Sequence, residues 1–419
     1  MNAVCGIDFG TSNSTIGVFN NNQAQLLPLE QGEFTLPSTL FFNFEENKTS
    51  FGRAAINDYI DGEFSRFMRS LKSILGTSLM KQSTQIKQRQ LNYNQIISEF
   101  IGEIKSRAEA QLDAPLEHVV AGRPVHFVDG NQAGDNEAQR SLERIYRKLG
   151  FKDVEFQFEP IAAALNYEQQ LQREELALIV DIGGGTSDFT IIRLSPKQQK
   201  CTNRYDDILA TTGIHIGGND FDRRFNLAKA MPALGMNSYM TGSSSRLEIS
   251  SAPYHDLATW HLIHNQYERS NIHSIESLKA RAEQPKLIAR LIQLLKNQDG
   301  HRLIGKIEAC KIALTQQLDT QLDLSFVEEN LNLSCHRTEF DEATLTEVAG
   351  ISRTINESLN SAQVNKQQIS SVFLTGGSTG LPSIRRSIRA IFPECRFVEG
   401  DRFGSVGIGL TLDATQRFK

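Results

Sequence analysis

Gly6-Ile7-Asp8-Phe9-Gly10-Thr11-Ser12-Asn13-Ser14 closes one short apolar strand and opens the next, Thr15-Ile16-Gly17-Val18-Phe19. Residue types in this order suit one chemistry well. Glycine lets a backbone approach a phosphate closely, and successive N–H groups of a tight turn form an anion-binding concavity. The hydroxyls of Thr11 and Ser12 add donors, with Gly10 and Asn13 completing the turn. An aspartate at the strand end, Asp8, is placed to hold the waters of a Mg²⁺ ion, which keeps most of its hydration shell. Alone, the turn is equally the ordinary punctuation of a hairpin.

The second occurrence decides between these readings. The apolar run Leu176–Val180 leads into Asp181-Ile182-Gly183-Gly184-Gly185-Thr186-Ser187-Asp188, and Phe189-Thr190-Ile191-Ile192 resumes as a strand. The layout is that of the first twenty residues, with two acidic residues, Asp181 and Asp188, bracketing the turn. Three consecutive glycines carry a large entropic cost, so bare backbone is needed there. Two such turns suit two similar lobes gripping one triphosphate from opposite sides. A third glycine turn, Gly376-Gly377-Ser378, lies between a strand and a helix, where free N–H groups favour anions. Gly217-Gly218, before Asn219-Asp220, is either a further ligand turn or the plain start of a capped helix. Neither G-x-x-x-x-G-K-[ST] nor G-x-G-x-x-G fits the spacing of any of these turns.

The bulk numbers agree with a soluble α/β protein. A chain of 419 residues calls for at least two domains, and 39% hydrophobic with 22% charged residues is an ordinary balance. A net charge of −5 gives no footprint for nucleic acid or an anionic membrane. Cys5, Cys201, Cys310, Cys335 and Cys395 form no C-x-x-C pair, so reduced, buried thiols are expected. The first residues carry no leader pattern, and no apolar run reaches the ~18 residues that span a bilayer, which makes the cytoplasm the expected compartment. Helices are expected over 94–112 and 136–149, the latter stopped by Gly150. Strands are expected at 118–121 and 371–375, and a polar helical region over 235–315. His255, His261 and His264 read as a solvated helix face, not a metal cluster.

Taken together, the turns resemble the nucleotide-binding domain of the DnaK-type heat-shock chaperones, in the actin-like ATPase superfamily. Residues 6–14 and 181–188 are similar to that family's two phosphate motifs. Glu159-Pro160-Ile161-Ala162-Ala163-Ala164-Leu165 is similar to its connecting motif, and Phe373-Leu374-Thr375-Gly376-Gly377-Ser378-Thr379 to its adenosine motif. The YegD-like subgroup, limited to the nucleotide domain, is nearest. The resemblance implies an actin-like fold whose two lobes each carry a ribonuclease-H-like mixed sheet flanked by helices, with the nucleotide in the cleft. Lobe I is expected at 1–180 with an inserted subdomain at about 41–115. Lobe II is expected at 181–400 with a helical insertion at about 225–315, and 401–419 returns to lobe I. The resemblance implies ATP/ADP and Mg²⁺ as cofactors. It casts Lys72 as the contact to the γ-phosphate and attacking water, Glu159 as the residue positioning that water, and Asp8 and Asp181 as the carboxylates around hydrated Mg²⁺. Thr186 and Asp188 then lie near the terminal phosphate. Glu308, Lys311 and Thr315 belong to the helix at the adenosine end, and Pro124 with Arg140 to the passage of nucleotide state between lobes.

Departures from the family pattern shape the functional expectation. Ile312 and Gly380 stand where two arginines would sandwich the adenine, which removes about 1–2 kcal/mol of base binding. Glu155 reverses the charge of a J-domain docking position, residues 235–300 do not resemble the family's subdomain, and no peptide-binding domain follows Phe403-Gly404-Ser405. The expectation is a monomeric, slowly ATP-hydrolysing chaperone-like protein whose nucleotide state regulates an unknown protein partner or client. A small-molecule kinase of the same superfamily, a filament-forming actin relative and a nucleotide-locked scaffold are the alternatives.

Overall fold

The computed structural model describes residues 3–20, 23–60, 65–86, 88–128, 130–168, 170–198, 201, 204–241, 247–260, 262–399 and 404–418. Asn21 and Asn22 (an expected turn), His261 and Phe403 lie outside the described residues. The chain forms two compact units. One comprises Met1–Gly217, Ile351–Thr379 and Arg385–Lys419, the other Gly218–Gly350 and Gly380–Ile384.

The first unit holds two sheets built on one plan. In the first, the central strand Ala3–Phe9 pairs antiparallel with Asn13–Asn20 and parallel with Leu116–Arg123, and the outer strands are Gln23–Leu26 and Asp153–Phe158. In the second, Glu175–Ile182 pairs antiparallel with Ser187–Leu194 and parallel with Ile369–Thr375, flanked by Ile208–Ile214 and Arg396–Glu399. Each central strand thus carries a hairpin on one side and parallel crossover strands on the other. The middles of the parallel strands are apolar, as stretches covered on both faces must be. Val119, Val120 and Ala121 have no exposed surface, nor do Leu178, Ile179 and Val180.

Two helices join these sheets into one unit. Glu159–Glu168 and Ser405–Arg417 supply Ile161, Ala162, Ala164, Val406, Leu410 and Ala414 to an apolar cluster that also takes Val120 from the first sheet and Ala177, Ile179 and Phe373 from the second. Contact is possible because glycines face it. A Cβ on Gly6 would meet Leu410 Cβ at 2.8 Å, and a Cβ on Gly409 would run into the Ala162 carbonyl. Both glycine-rich hairpins fall in the first unit.

Local chemistry sets the helix ends. Asn92 caps the helix Tyr93–Leu112 in a capping box with Gln95. The helix expected from residue 136 begins four residues earlier, at Gln132, because the Asn131 side chain accepts the Gly134 N–H at 3.0 Å. Gly150 follows its end at φ +92°, the left-handed conformation that suits glycine.

The second unit is mostly helical. Helices Gly218–Ala233, Arg269–Lys279, Pro285–Lys296 and Gly300–Gln316 accompany a two-stranded hairpin, Asp319–Asp323 with Asn332–His336. Phe225 meets Phe340 edge-on at 5.2 Å. The thiols are free, but not uniformly buried: Cys5, Cys310 and Cys335 are, while Cys201 is exposed and Cys395 half-buried. No described helix is long and apolar enough to cross a membrane.

Two glycines make a direct test of this packing. Gly409→Ala is expected to destabilise the protein by about 1–3 kcal/mol through overpacking against Ala162. Gly305→Ala, in a helix with nothing within 4 Å of a new Cβ, is expected to stabilise by about 0.5–1 kcal/mol. Urea denaturation of the two variants beside the wild type measures both signs.

Candidate functional site

Both glycine turns are held shut by their own backbone chemistry. In the first, Asp8 pairs with Thr15 and Phe9 with Ser14 across the ladder. Ser38 clamps the turn: its N–H donates to the Ser12 carbonyl at 2.8 Å and its hydroxyl to the Gly10 carbonyl at 2.7 Å. A Cβ on Gly10 would collide with the Asn13 carbonyl. In the second, Asp181 lies directly across from Asp188, the Gly183 N–H donates to the Thr186 carbonyl at 3.0 Å, and the Thr186 hydroxyl donates to Asp188 at 3.3 Å.

The two turns abut. A Cβ on Gly184 would strike the Ser12 hydroxyl, and one on either Gly184 or Gly185 would lie 3.8 Å from the Thr11 methyl. Gly217 closes on the same turn, its Cβ position 2.5 Å from the Gly185 nitrogen. Gly376, at φ +80°, puts its Cβ position 2.6 Å from Asp181 Oδ1, and the Ser378 hydroxyl donates to the Gly183 carbonyl at 3.3 Å. Bare backbone is therefore required at Gly10, Gly184, Gly217 and Gly376, where a Cβ would collide with its neighbours.

Charge is concentrated beside them. Lys72 lies in the single turn Leu71–Ile74, entered through Ser70 in a left-handed conformation at φ 57°. Its ammonium donates to Glu159 Oε1 at 2.5 Å, with the two side chains only 10% and 11% exposed. Glu159 opens the helix Glu159–Glu168, a favourable place for a carboxylate. Burial pushes the Asp8 carboxyl up to about 7, with Glu159 and then Asp181 adding to the rise and Lys72 opposing it. Asp181 is likewise pushed up to about 7 by burial, Glu159 and Asp188, again against Lys72. For Lys72, burial disfavours the charge, but Glu159, Asp8 and Asp181 outweigh it and raise its pKa. One cation thus serves a group of carboxylates that it cannot neutralise.

That excess of buried negative charge fits a divalent cation. Among the described residues no three His, Cys, Asp or Glu side chains are arranged to ligate a metal directly. An ion here would take its remaining ligands from water and phosphate, as Mg²⁺ characteristically does, with Asp8 and Asp181 nearest. The buried ammonium of Lys72 and the converging N–H groups suit the phosphate.

Other expected site residues are placed differently. Gly218, Glu308, Lys311 and Thr315 belong to the second unit. Lys311 is buried with its ammonium 2.7 Å from Asp222 and 3.3 Å from the Gly218 carbonyl. The Thr315 hydroxyl donates to the Ile312 carbonyl at 2.7 Å, while Ile312 itself is 59% exposed. Gly377 and Gly380 form one 3₁₀ turn. Arg140 points outward, and it is Arg123 that surrounds Pro124. The Arg123 guanidinium donates to the carbonyls of Pro124 and Val125 and to Asp135 at 2.8 Å, and packs on Phe127 and Phe158. Arg123 and Ser38 were both missed in the sequence. Arg123 adjoins Pro124 and was within reach, whereas nothing local marks Ser38. Glu155 pairs with Arg417 at 3.5 Å. His255 faces Arg223 at 3.4 Å.

A protein-family model described as Hsp70 protein matches residues 4–228 and 288–411. The matched segments carry every turn described above, and the interval between them falls within the stretch 235–300 and its N-terminal flank.

The paired carboxylates predict how stability varies with pH. Asp8 and Asp181 hold their protons more tightly folded than unfolded, since both rise from 3.8 to about 7. The stability this confers is complete below the unfolded value and is lost as pH rises through about 7. Without nucleotide or Mg²⁺, the melting temperature is expected to fall between pH of about 5 and about 8, and Asp181→Asn is expected to flatten that slope. Differential scanning calorimetry across the range measures both.

Proposed function

Since the chain belongs to the Hsp70 family and has its actin-like ATPase fold, we propose that it binds ATP with Mg²⁺ in the first unit's glycine-lined site and hydrolyses it slowly. The observation that carries the reading is the buried Lys72–Glu159 pair beside Asp8 and Asp181. Phosphoryl transfer through a loose transition state needs mainly charge neutralisation and a positioned nucleophile. The N–H groups of the turns at Gly10–Asn13 and Gly184–Gly185 hold phosphate oxygens, with Thr11 and Ser12 adding hydroxyl donors and Thr186 turning its own from Asp188. Lys72 turns its ammonium from Glu159 to the γ-phosphate, which frees the Glu159 carboxylate to orient a water and accept its proton. Asp8 and Asp181 would hold a Mg²⁺ ion through its waters, and such an ion would neutralise charge on the phosphate oxygens.

Water as the acceptor is the reading the Lys72–Glu159 pair supports, since that pair can hold and deprotonate a water molecule. Nucleotide state then governs a protein partner in the cytoplasm, through Pro124 and the arginine packed around it.

Single-turnover hydrolysis gives the test. Glu159→Gln is expected to slow the step by about 10²–10⁴-fold while calorimetry still detects ATP uptake. Lys72→Ala is expected to impair hydrolysis similarly and to weaken binding as well. Undiminished hydrolysis in both variants, or no ATP uptake by the wild type with Mg²⁺, refutes the assignment.

A further inference from the structure

Among the described residues, eight other than glycine hold a positive φ. Seven of them are Asn, Asp or Gln, and all seven are exposed. The eighth is Ser70, which is 2% exposed and stands at φ 57°, ψ 34°. Asn and Asp tolerate this conformation because their side chains bond to nearby backbone. Ser70 has no such relief: its hydroxyl is buried and meets no partner among the described residues. An uncompensated left-handed residue persists only where its surroundings over-determine it, and such residues gather at functional sites.

The surroundings of Ser70 hold it from both sides. Upstream, the strand Ser65–Arg69 pairs with Thr39–Asn43, and Arg69 lies across from Thr39, the residue after the Ser38 clamp. Downstream, Ser73 donates twice to the Ser70 carbonyl, from its N–H at 3.1 Å and from its hydroxyl at 2.8 Å. Leu71 and Ile74 anchor the turn in the core, and Lys72 between them reaches Glu159. The same loop ends at a second left-handed residue, Gly76, at φ +76°. There glycine is forced, since a Cβ would lie 2.5 Å from the Gly134 carbonyl. At Ser70 glycine would be the unstrained choice. The chain keeps instead a side chain that confines the backbone to few conformations.

We infer that Ser70 is a positioning residue for Lys72. Its confined left-handed backbone fixes the exit from the strand Ser65–Arg69, and with it the base of the Lys72 side chain. Glycine at this point would place a hinge two residues before Lys72 and loosen the ammonium from its place beside Glu159. Placement of a charged group matters most in the transition state, so the loosening slows hydrolysis more than it weakens nucleotide uptake. That consequence rests on the nucleotide reading above, whereas the placement of Lys72 can be read without it.

Ser70→Gly and Ser70→Ala are compared with the wild type by thermal melting, by acetylation with acetic anhydride read at Lys72 from peptide masses, and by single-turnover hydrolysis. Ser70→Gly relieves the strain and is expected to raise the melting temperature by about 1–3 °C. Acetylation of Lys72 in the same variant is expected to quicken about fivefold or more. Hydrolysis is expected to slow about tenfold while ATP affinity stays within about threefold. Ser70→Ala keeps the backbone confined, and this conservative variant is expected to restore acetylation and hydrolysis to within about twofold of the wild type. Equal effects of the two variants, or wild-type acetylation in Ser70→Gly, overturn the inference. So does a lowered melting temperature in Ser70→Gly, which marks a role in folding alone. Undiminished hydrolysis beside faster acetylation overturns the catalytic consequence. If the wild type itself takes up no ATP, the nucleotide reading falls, and melting with acetylation still decides the placement of Lys72.

Discussion

One ammonium set among too many carboxylates is the constraint on which the first unit's chemistry depends. Lys72 and Glu159 could neutralise each other alone, but Asp8 and Asp181 share the same low-dielectric surroundings, and burial with mutual repulsion drives both toward the protonated form. A protein selected only for stability would have no reason to assemble this group. Buried charges are retained where something else completes them, and here the missing component is positive and small. The glycine turns beside the carboxylates leave bare backbone there, the kind of surface that suits an anion. Metal and phosphate together would satisfy both halves of an otherwise unbalanced site.

Holding such a site requires rigid supports on every side, and the fold provides them by close approach. The helix Ser405–Arg417 reaches the first central strand because Gly6 lacks a side chain, reaches that strand's hairpin partner because Gly17 lacks one, and reaches the helix Glu159–Glu168 because Gly409 does. The latter helix carries Glu159 at its first position. The Glu159 carboxylate is thereby positioned by a residue near the opposite end of the chain. Packing at this density leaves little freedom for a methyl group, so the geometry beside Lys72 is fixed by contacts far from it in sequence.

Legibility in the sequence followed the range of the interactions. The hairpins at Asp8 and Asp181 were readable because turn chemistry is local: a strand, an acid, glycines and hydroxyls are contiguous. The repetition of that layout foretold the repetition of the sheets. Helix termini were legible to within a few residues, and the miss at Gln132 came from overlooking Asn131 as a cap. The roles of Lys72 and Glu159 came only from resemblance, since 87 residues separate them and no local pattern predicts their contact. Ser38 was illegible for the same reason. Its clamp on the first turn is made across 28 residues by a single hydroxyl, and a serine in a loop carries no mark of what it will touch.

The second unit shows where resemblance alone runs thin. Consecutive residues of one helix meet opposite environments: Lys311 is buried against Asp222 and Ile312 is open to solvent. Withdrawing one partner from a buried pair costs several kcal/mol, so Lys311 cannot turn wholly toward a ligand. It can only share its ammonium while Asp222 still holds it. A lysine with three donors, one on Asp222 and another on the Gly218 carbonyl, has one left to offer.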